Sequence, residues 1–344
     1  GRNLFLRSWT NLMMGVDMNP ATGAGIPVLE FGNRFAQLDY KTSGGTDRYD
    51  SLQVTANRRF SKGLTIGTQW TWGHSVGNTG GSNEAQTQQN PFNFEQDRGN
   101  NAFDVRHTVN TTALYELPFG RDRRYLRNAP RAAEWVLGGW QIGGVLNART
   151  GMPVDLTLAR NDIAYRVNAT GAIVDAPIVA SGAILTTPVT NNPWGGAFRS
   201  NRRPSVVAGV SPYLRNPADK RVFLNPAAFT IPAPGEYGNL GRWALKGPGL
   251  AQFDLTLQKR FAITEGHAIE FRGEVYNVLN RANFASPVSR LNNALGTGSN
   301  QLQPGQPFTQ AAAGGSFGMA TSTVTKDVGL GAGRQIQLSL RYSF

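Results

Sequence analysis

The sequence predicts an all-β protein whose antiparallel strands cross a lipid bilayer as part of a β-barrel. Three observations carry that expectation. Apolar and polar residues alternate with period two over long segments. The polar positions hold Gln, Thr, Ser, Asn and Gly with isolated charges, as a wet lumen does, where a soluble sandwich carries Lys and Glu. Short turns alternate with long connections rich in Asn, Gly, Pro and Gln.

Taken in order, residues 1–33 read as a partial upstream strand and loop, with 4–15 offering one strand. A further strand is expected near 34–41. Residues 48–60 set Leu52, Val54 and Ala56 against Gln53, Thr55 and Asn57. In 63–76, Leu64, Ile66, Trp70 and Trp72 oppose Thr65, Gly67, Gln69 and Thr71. In 104–117, Val105, Val109, Ala113, Tyr115 and Leu117 oppose Arg106, Thr108, Asn110, Thr112 and Glu116. In 251–260, Phe253, Leu255 and Leu257 oppose Asp254, Thr256, Gln258 and Arg260. Residues 267–277 set Ile269, Phe271, Gly273 and Val275 against Glu270, Arg272 and Glu274. The last segment, 334–344, is the clearest: Ile336, Leu338, Leu340, Tyr342 and Phe344 form one apolar row, and Gln335, Gln337, Ser339, Arg341 and Ser343 the polar one. Segments of about 10 to 14 residues exceed the 5–6 of an average globular strand and suit a tilted crossing of a bilayer. The count is about 8–10 long strands. Eight strands closing alone leave a lumen filled by side chains, so connections this long point to part of a larger barrel.

Composition excludes much else. The 344 residues hold no cysteine, so disulfides, thiolate metal sites and cysteine nucleophiles are absent. Charged residues are only 16% and Gly reaches 41, against about 25% and ~7% in average soluble domains. No apolar run is long enough for a transmembrane helix. Nothing at the start reads as a signal peptide, and the expectation is a piece of a longer chain with its export signal elsewhere. The net charge of +12 invites nucleic acid, but the arginines are scattered and no recognition module accompanies the densest group, Arg121, Arg123, Arg124, Arg127 and Arg131. No nucleic-acid partner is expected; an anionic membrane or substrate suits the charge better.

Parity orders the strands. With the C-terminus periplasmic, 334–344 runs inward, 267–277 outward and 251–260 inward, so the long connections 77–103, 159–249 and 278–333 all fall outside. The turns at 60–63 and 261–266, and a basic segment at 118–134, fall inside. A hairpin at 149–153 would break this count. Residues 135–158 are therefore expected to form one outward segment, bulged at Gly151-Met152-Pro153.

A series of stretches then carries a resemblance: DRGNNAFDVRH (97–107), LYELPFG (114–120), GGWQIGG (138–144), FLNPAAF (223–229), YGNLGR (237–242), KGPG (246–249), FDLTLQKR (253–260), FRGEVYNVLNRANF (271–284) and RQIQLSLRYSF (334–344). In this order they resemble the C-terminal β-barrel region of TonB-dependent transporters, specifically the Oar-like group, over residues 34–344. The resemblance implies an outer-membrane receptor of about 22 strands, plugged by an N-terminal domain and driven by an inner-membrane energy-transducing complex. This stretch lacks the plug, the coupling box and the first half of such a barrel, so contact with that complex is expected only through upstream parts. A terminal Phe344 on an alternating row resembles the tag read by the barrel-assembly machinery. Outer-membrane lipid and lipopolysaccharide are the remaining partners expected.

No catalytic, metal or cofactor residue is expected. Gly314-Gly315-Ser316-Phe317-Gly318 matches a nucleophile elbow, but no histidine follows it. Gly329, Gly331 and Gly333 precede a strand, where a dinucleotide fingerprint opens a helix. His74, His107 and His267 are isolated, and the sequon Asn168-Ala169-Thr170 is read as coincidence. Asp254, Lys259, Arg260, Glu270, Arg272, Glu274 and Arg341 are expected to face the lumen. Trp70, Trp72, Trp140, Tyr342 and Phe344 are expected at the membrane interfaces. A passive channel or surface adhesin is the alternative to a transporter.

Overall fold

The computed structural model describes the chain except residues 1, 11, 20, 22–24, 33, 36–37, 61–62, 81–87, 122, 129, 161–162, 165–188, 194–201, 216, 296–299 and 326–328. The sequon at 168–170 lies outside the described residues. Eight strands form one antiparallel meander: β1 (Arg2–Thr10), β2 (Leu38–Arg59), β3 (Leu64–Gly77), β4 (His107–Glu116), β5 (Trp140–Arg149), β6 (Leu250–Thr264), β7 (His267–Tyr276) and β8 (Gln335–Ser343). Each pairs with its neighbours in chain order, and Gly99–Asn100 adds a short rung to β3. Among the described residues the sheet does not close; β1 and β8 are its edges.

Register aligns like faces from β3 to β8. One row runs Ile336, Val275, Leu255, Gly144, Ala113, Ile66, and the next Leu338, Gly273, Leu257, Ile142, Tyr115, Leu64. On the other face, Gln252, Asn147, Asn110, Gln69 and Thr55 lie in register. Large apolar side chains on the first face stay exposed, with Leu338 at 69% and Leu340 at 74%. Water would not tolerate so large an apolar area, whereas lipid solvates it.

Connections sort by end. The turns 60–63 and Glu265–Gly266, and the segment 117–139, join strands at one end. The connections 78–106, 150–249 and 277–334 all leave from the other.

Several expected boundaries move. Of the expected segments 34–41 and 48–60, residues 38–41 and 48–59 belong to one 22-residue strand, β2. Its Gly44-Gly45 lies where the pairing with β1 shifts register, so the glycines absorb an irregularity and end no strand. Residues 4–15 divide between β1 and a separate hairpin, Met13–Met18 with Gly25–Leu29. The expected segment 135–158 is in the wall only as Trp140–Arg149. Trp135 to Leu137 close helix α1 (Arg131–Leu137), and beyond Arg149 the chain leaves the sheet. There Pro153–Val154 pairs with Leu245–Lys246 and Thr157–Leu158 with Arg290–Leu291. Gly151 packs against the Gly247 carbonyl and Pro153 has no N–H to donate, so the ladder cannot continue. Parity survives, because the chain departs and returns at the same end.

Candidate functional site

The polar face carries an ordered charge ladder. Arg260, Glu270 and Arg341 lie side by side on β6, β7 and β8, and Gln258, Arg272 and Ser339 form the adjacent row. Arg272 pairs along its strand with Glu274 at 2.8 Å, and Tyr276 also donates to Glu274 at 3.0 Å. Tyr276 therefore belongs to the polar face although it ends a strand. Asp254 accepts from the Asn277 backbone at 2.7 Å and from the Gln252 side-chain amide at 2.9 Å. Alternating signs directly opposite one another stiffen the wall and leave a polar surface.

Lys259 is the exception among the expected lumen residues. Its odd position puts it in register with Phe271 and Trp140, on the apolar face. It is 4% exposed, with Nζ 5.6 Å from the Trp140 ring centroid and 4.8 Å from that of Phe261. The ring faces solvate a cation that lipid would not. Sequence reading followed the charge where the period of two assigned the face.

The aromatics occupy both ends of the apolar face. Trp72 is in register with His107, and Trp70 stacks on the His107 ring at 5.9 Å, at the long-connection end. Trp140 and Tyr342 lie at the short-turn end; His267 meets the Tyr342 hydroxyl at 2.6 Å, and Phe344 follows, 92% exposed. Along β5, Trp140 and Ala148 are separated by a rise of about 27 Å, or about 21 Å along the normal for strands tilted by about 40°. Ala148 is level with Trp70 through Val109. The span fits an apolar band of about 25 Å.

Over the other end lies a cap built by the long connections. The buried apolar cluster draws on Val154, Leu156, Leu224, Phe229, Leu291 and Phe317 among others, and among the described residues it holds none of the wall strands. The same connections hold a buried ionic network. Arg203 binds Asp97 at 2.5 Å and also donates to the Leu240 and Gln96 carbonyls. Arg242, 1% exposed, donates to the Asn78 carbonyl at 2.8 Å. Burial pushes its pKa down, while burial raises that of Asp155 against the charges of Arg242 and Arg203. Arg160 donates to the Glu236, Pro232 and Ala233 carbonyls and to Asn191; burial, then the Arg202 charge, bring it down to about 10.

Asp104 ties cap to wall. Its side chain is fully buried and contacts Lys246 at 2.6 Å, the Ser75 N–H at 2.8 Å, Arg106 at 3.1 Å and His74 at 3.3 Å. Burial raises its pKa, but the bonds from Lys246, Ser75 and His74 outweigh it and bring the value down to about 2. The cluster has no local signature in the sequence, because its members lie up to 142 positions apart. The elbow-like Ser316 follows helix α2 (Gln310–Ala313) in a turn, the reverse of the strand–turn–helix order that chemistry needs.

An antiparallel sheet with a lipid-compatible face, a wet face, aromatic belts at both margins and a cap at one end defines a class, the wall of a membrane-spanning β-barrel. A family model for an outer membrane beta barrel domain matches residues 7–337, and the chain belongs to that family. No curated protein and no solved structure matches it.

Proposed function

We propose that this outer-membrane barrel domain serves a TonB-dependent, Oar-like receptor that moves a ligand across the outer membrane, and that it performs no covalent chemistry. The observation that carries the reading is the cap. The connections 150–249 and 277–334 share a core of their own at one end of the wall, and 78–106 is tied to them where the resembling stretches DRGNNAFDVRH, YGNLGR and KGPG meet through Asp97–Arg203, Arg203–Leu240 and Asp104–Lys246. A bare pore needs no such structure, whereas ligand capture above a polar wall does. In this reading the cap is extracellular, next to lipopolysaccharide, the C-terminus is periplasmic, and the inner-membrane energy-transducing complex is engaged through upstream parts of the full-length protein.

Two experiments test it. The chain has no cysteine, so Lys220→Cys in the cap should react with an impermeant maleimide on intact cells, and Glu265→Cys in a short turn only after permeabilisation. The opposite pattern inverts the orientation. The full-length protein should also bind the periplasmic domain of the energy-transducing protein and be silent in planar bilayers. Steady conductance without that binding identifies a passive channel, and neither property identifies an adhesin.

A further inference from the structure

The segment 117–139, at the short-turn end, is far more built than a turn requires. Pro118 to Tyr125 close a tight loop through Tyr125 N–H to Pro118 O at 2.9 Å and Gly120 N–H to Tyr125 O at 3.0 Å. Glu134 of α1 reaches back to the Arg121 N–H at 2.7 Å. The helix is then clamped to the apolar face of the wall. The Trp140 indole donates to the Val136 carbonyl at 2.9 Å, and the Trp135 ring meets Phe261 at 5.0 Å. Docked so, α1 leaves Trp135, Val136 and Leu137 exposed at 55%, 54% and 48%. An apolar helix edge continuous with the aromatic belt of a bilayer-spanning wall lies in the interfacial plane.

Five arginines lie in the same segment, against only Asp122 and Glu134. Arg121, Arg123, Arg124, Arg127 and Arg131 are all exposed. Arg123 is paired with Glu116 at 2.8 Å, and Arg124 lies over the Tyr125 ring. No acidic partner is seen for Arg121, Arg124 or Arg131 among the described residues. An exposed apolar edge and exposed guanidinium groups within one segment match a lipid that carries a net negative phosphate.

The geometry points to this segment as a binding platform for anionic glycerophospholipid in the leaflet at the short-turn end. The apolar edge of α1 takes the upper acyl chain, and the arginines take the phosphate. The inference rests on the orientation proposed above, which puts phospholipid at this end and lipopolysaccharide at the other.

The test uses the full-length protein in nanodiscs made from an equimolar mixture of phosphatidylethanolamine and phosphatidylglycerol, with retained lipid read by native mass spectrometry. Phosphatidylglycerol should be enriched over the bulk mixture, and Arg121→Gln/Arg124→Gln/Arg131→Gln should weaken its retention by about fivefold per arginine. These side chains are exposed, so the variant should fold, which retained heat-modifiable migration on gels checks. Trp135→Ala should lower retention of both lipids. Unchanged phosphatidylglycerol retention in the folded triple variant overturns the proposal. Parallel discs containing lipopolysaccharide separate the sources: arginine-dependent retention of lipopolysaccharide alone overturns the phospholipid assignment. The maleimide pattern is independent and reports whether the orientation itself failed.

Discussion

Neighbouring residues with opposite faces give the sharpest tests. Leu338 and Gln337 are adjacent on β8, with Leu338 in the apolar row beside Gly273 and Gln337 beside Glu274. Leu338→Arg should destabilise the folded barrel by about 2–4 kcal/mol, while Gln337→Arg should cost far less. Equal shifts in a urea folding titration in lipid vesicles would contradict the assigned faces. Asp104 supplies a second test. Its folded pKa, about 2, lies below the ordinary 3.8. Its contribution to stability is therefore present above about pH 4 and lost as pH falls toward 2. Asp104→Asn should cost about 2 kcal/mol at neutral pH, because Lys246, Arg106 and His74 lose their shared carboxylate but retain some water. It should also flatten the acid limb of the stability profile. An acid limb identical to the parent's would remove Asp104 as its source.

At the scale of elements, the wall and the cap hold together by different means. Wall strands are fixed by ladder hydrogen bonds and need a lipid solvent for one face, so their apolar rows remain exposed. The cap has a packed apolar core of its own and closes through backbone approaches that admit no side chain. A Cβ at Gly238 would overlap the carbonyl oxygens of Arg203 and Pro204, whereas one at Gly315 meets nothing within 4 Å. Gly238→Ala should therefore destabilise the cap by about 1–3 kcal/mol, with Gly315→Ala near neutral. Limited proteolysis of the folded protein would read this as faster cutting within 202–249 in the Gly238 variant, with heat-modifiable migration of the barrel unchanged. Equal protease resistance in both variants would show that the approach at Gly238 is not tight in solution.

The whole molecule must be inserted as well as folded, and we propose that Phe344 serves the first requirement. Phe344 is 92% exposed, and its ring centroid lies 6.0 Å from that of Tyr342. Such a residue contributes little to packing, so a large effect of its loss would be on recognition by the assembly machinery. Deleting Phe344 should lower the barrel recovered in outer-membrane fractions more than Trp72→Asp does, relative to the effect of each on folding measured in vitro. Trp72 is the comparator because it is interfacial yet distant from the terminus. Undiminished recovery after the deletion would show that the terminal strand is not the insertion signal.

The period of two determined the wall from sequence alone. In a strand the side chain alternates by geometry, so Ile336 to Phe344 declare their face without knowledge of any partner. Loop lengths with parity likewise determined which strand ends lie together, since antiparallel neighbours must alternate direction. What sequence could not supply depended on contacts between distant residues. Whether Gly44-Gly45 ends a strand is decided by the register of β1, and whether the chain stays in the wall past Arg149 by Gly247 packed on Gly151. The side of Lys259 was legible, but its aromatic surroundings came from the pairing of β5 with β6, which sets Trp140 and Phe261 around it. The cap was invisible, because its stretches have no periodicity and acquire meaning only when Asp97 finds Arg203 and Asp104 finds Lys246. A local pattern can encode a face; burying an ion pair takes two segments brought together, and that is a property of the tertiary structure.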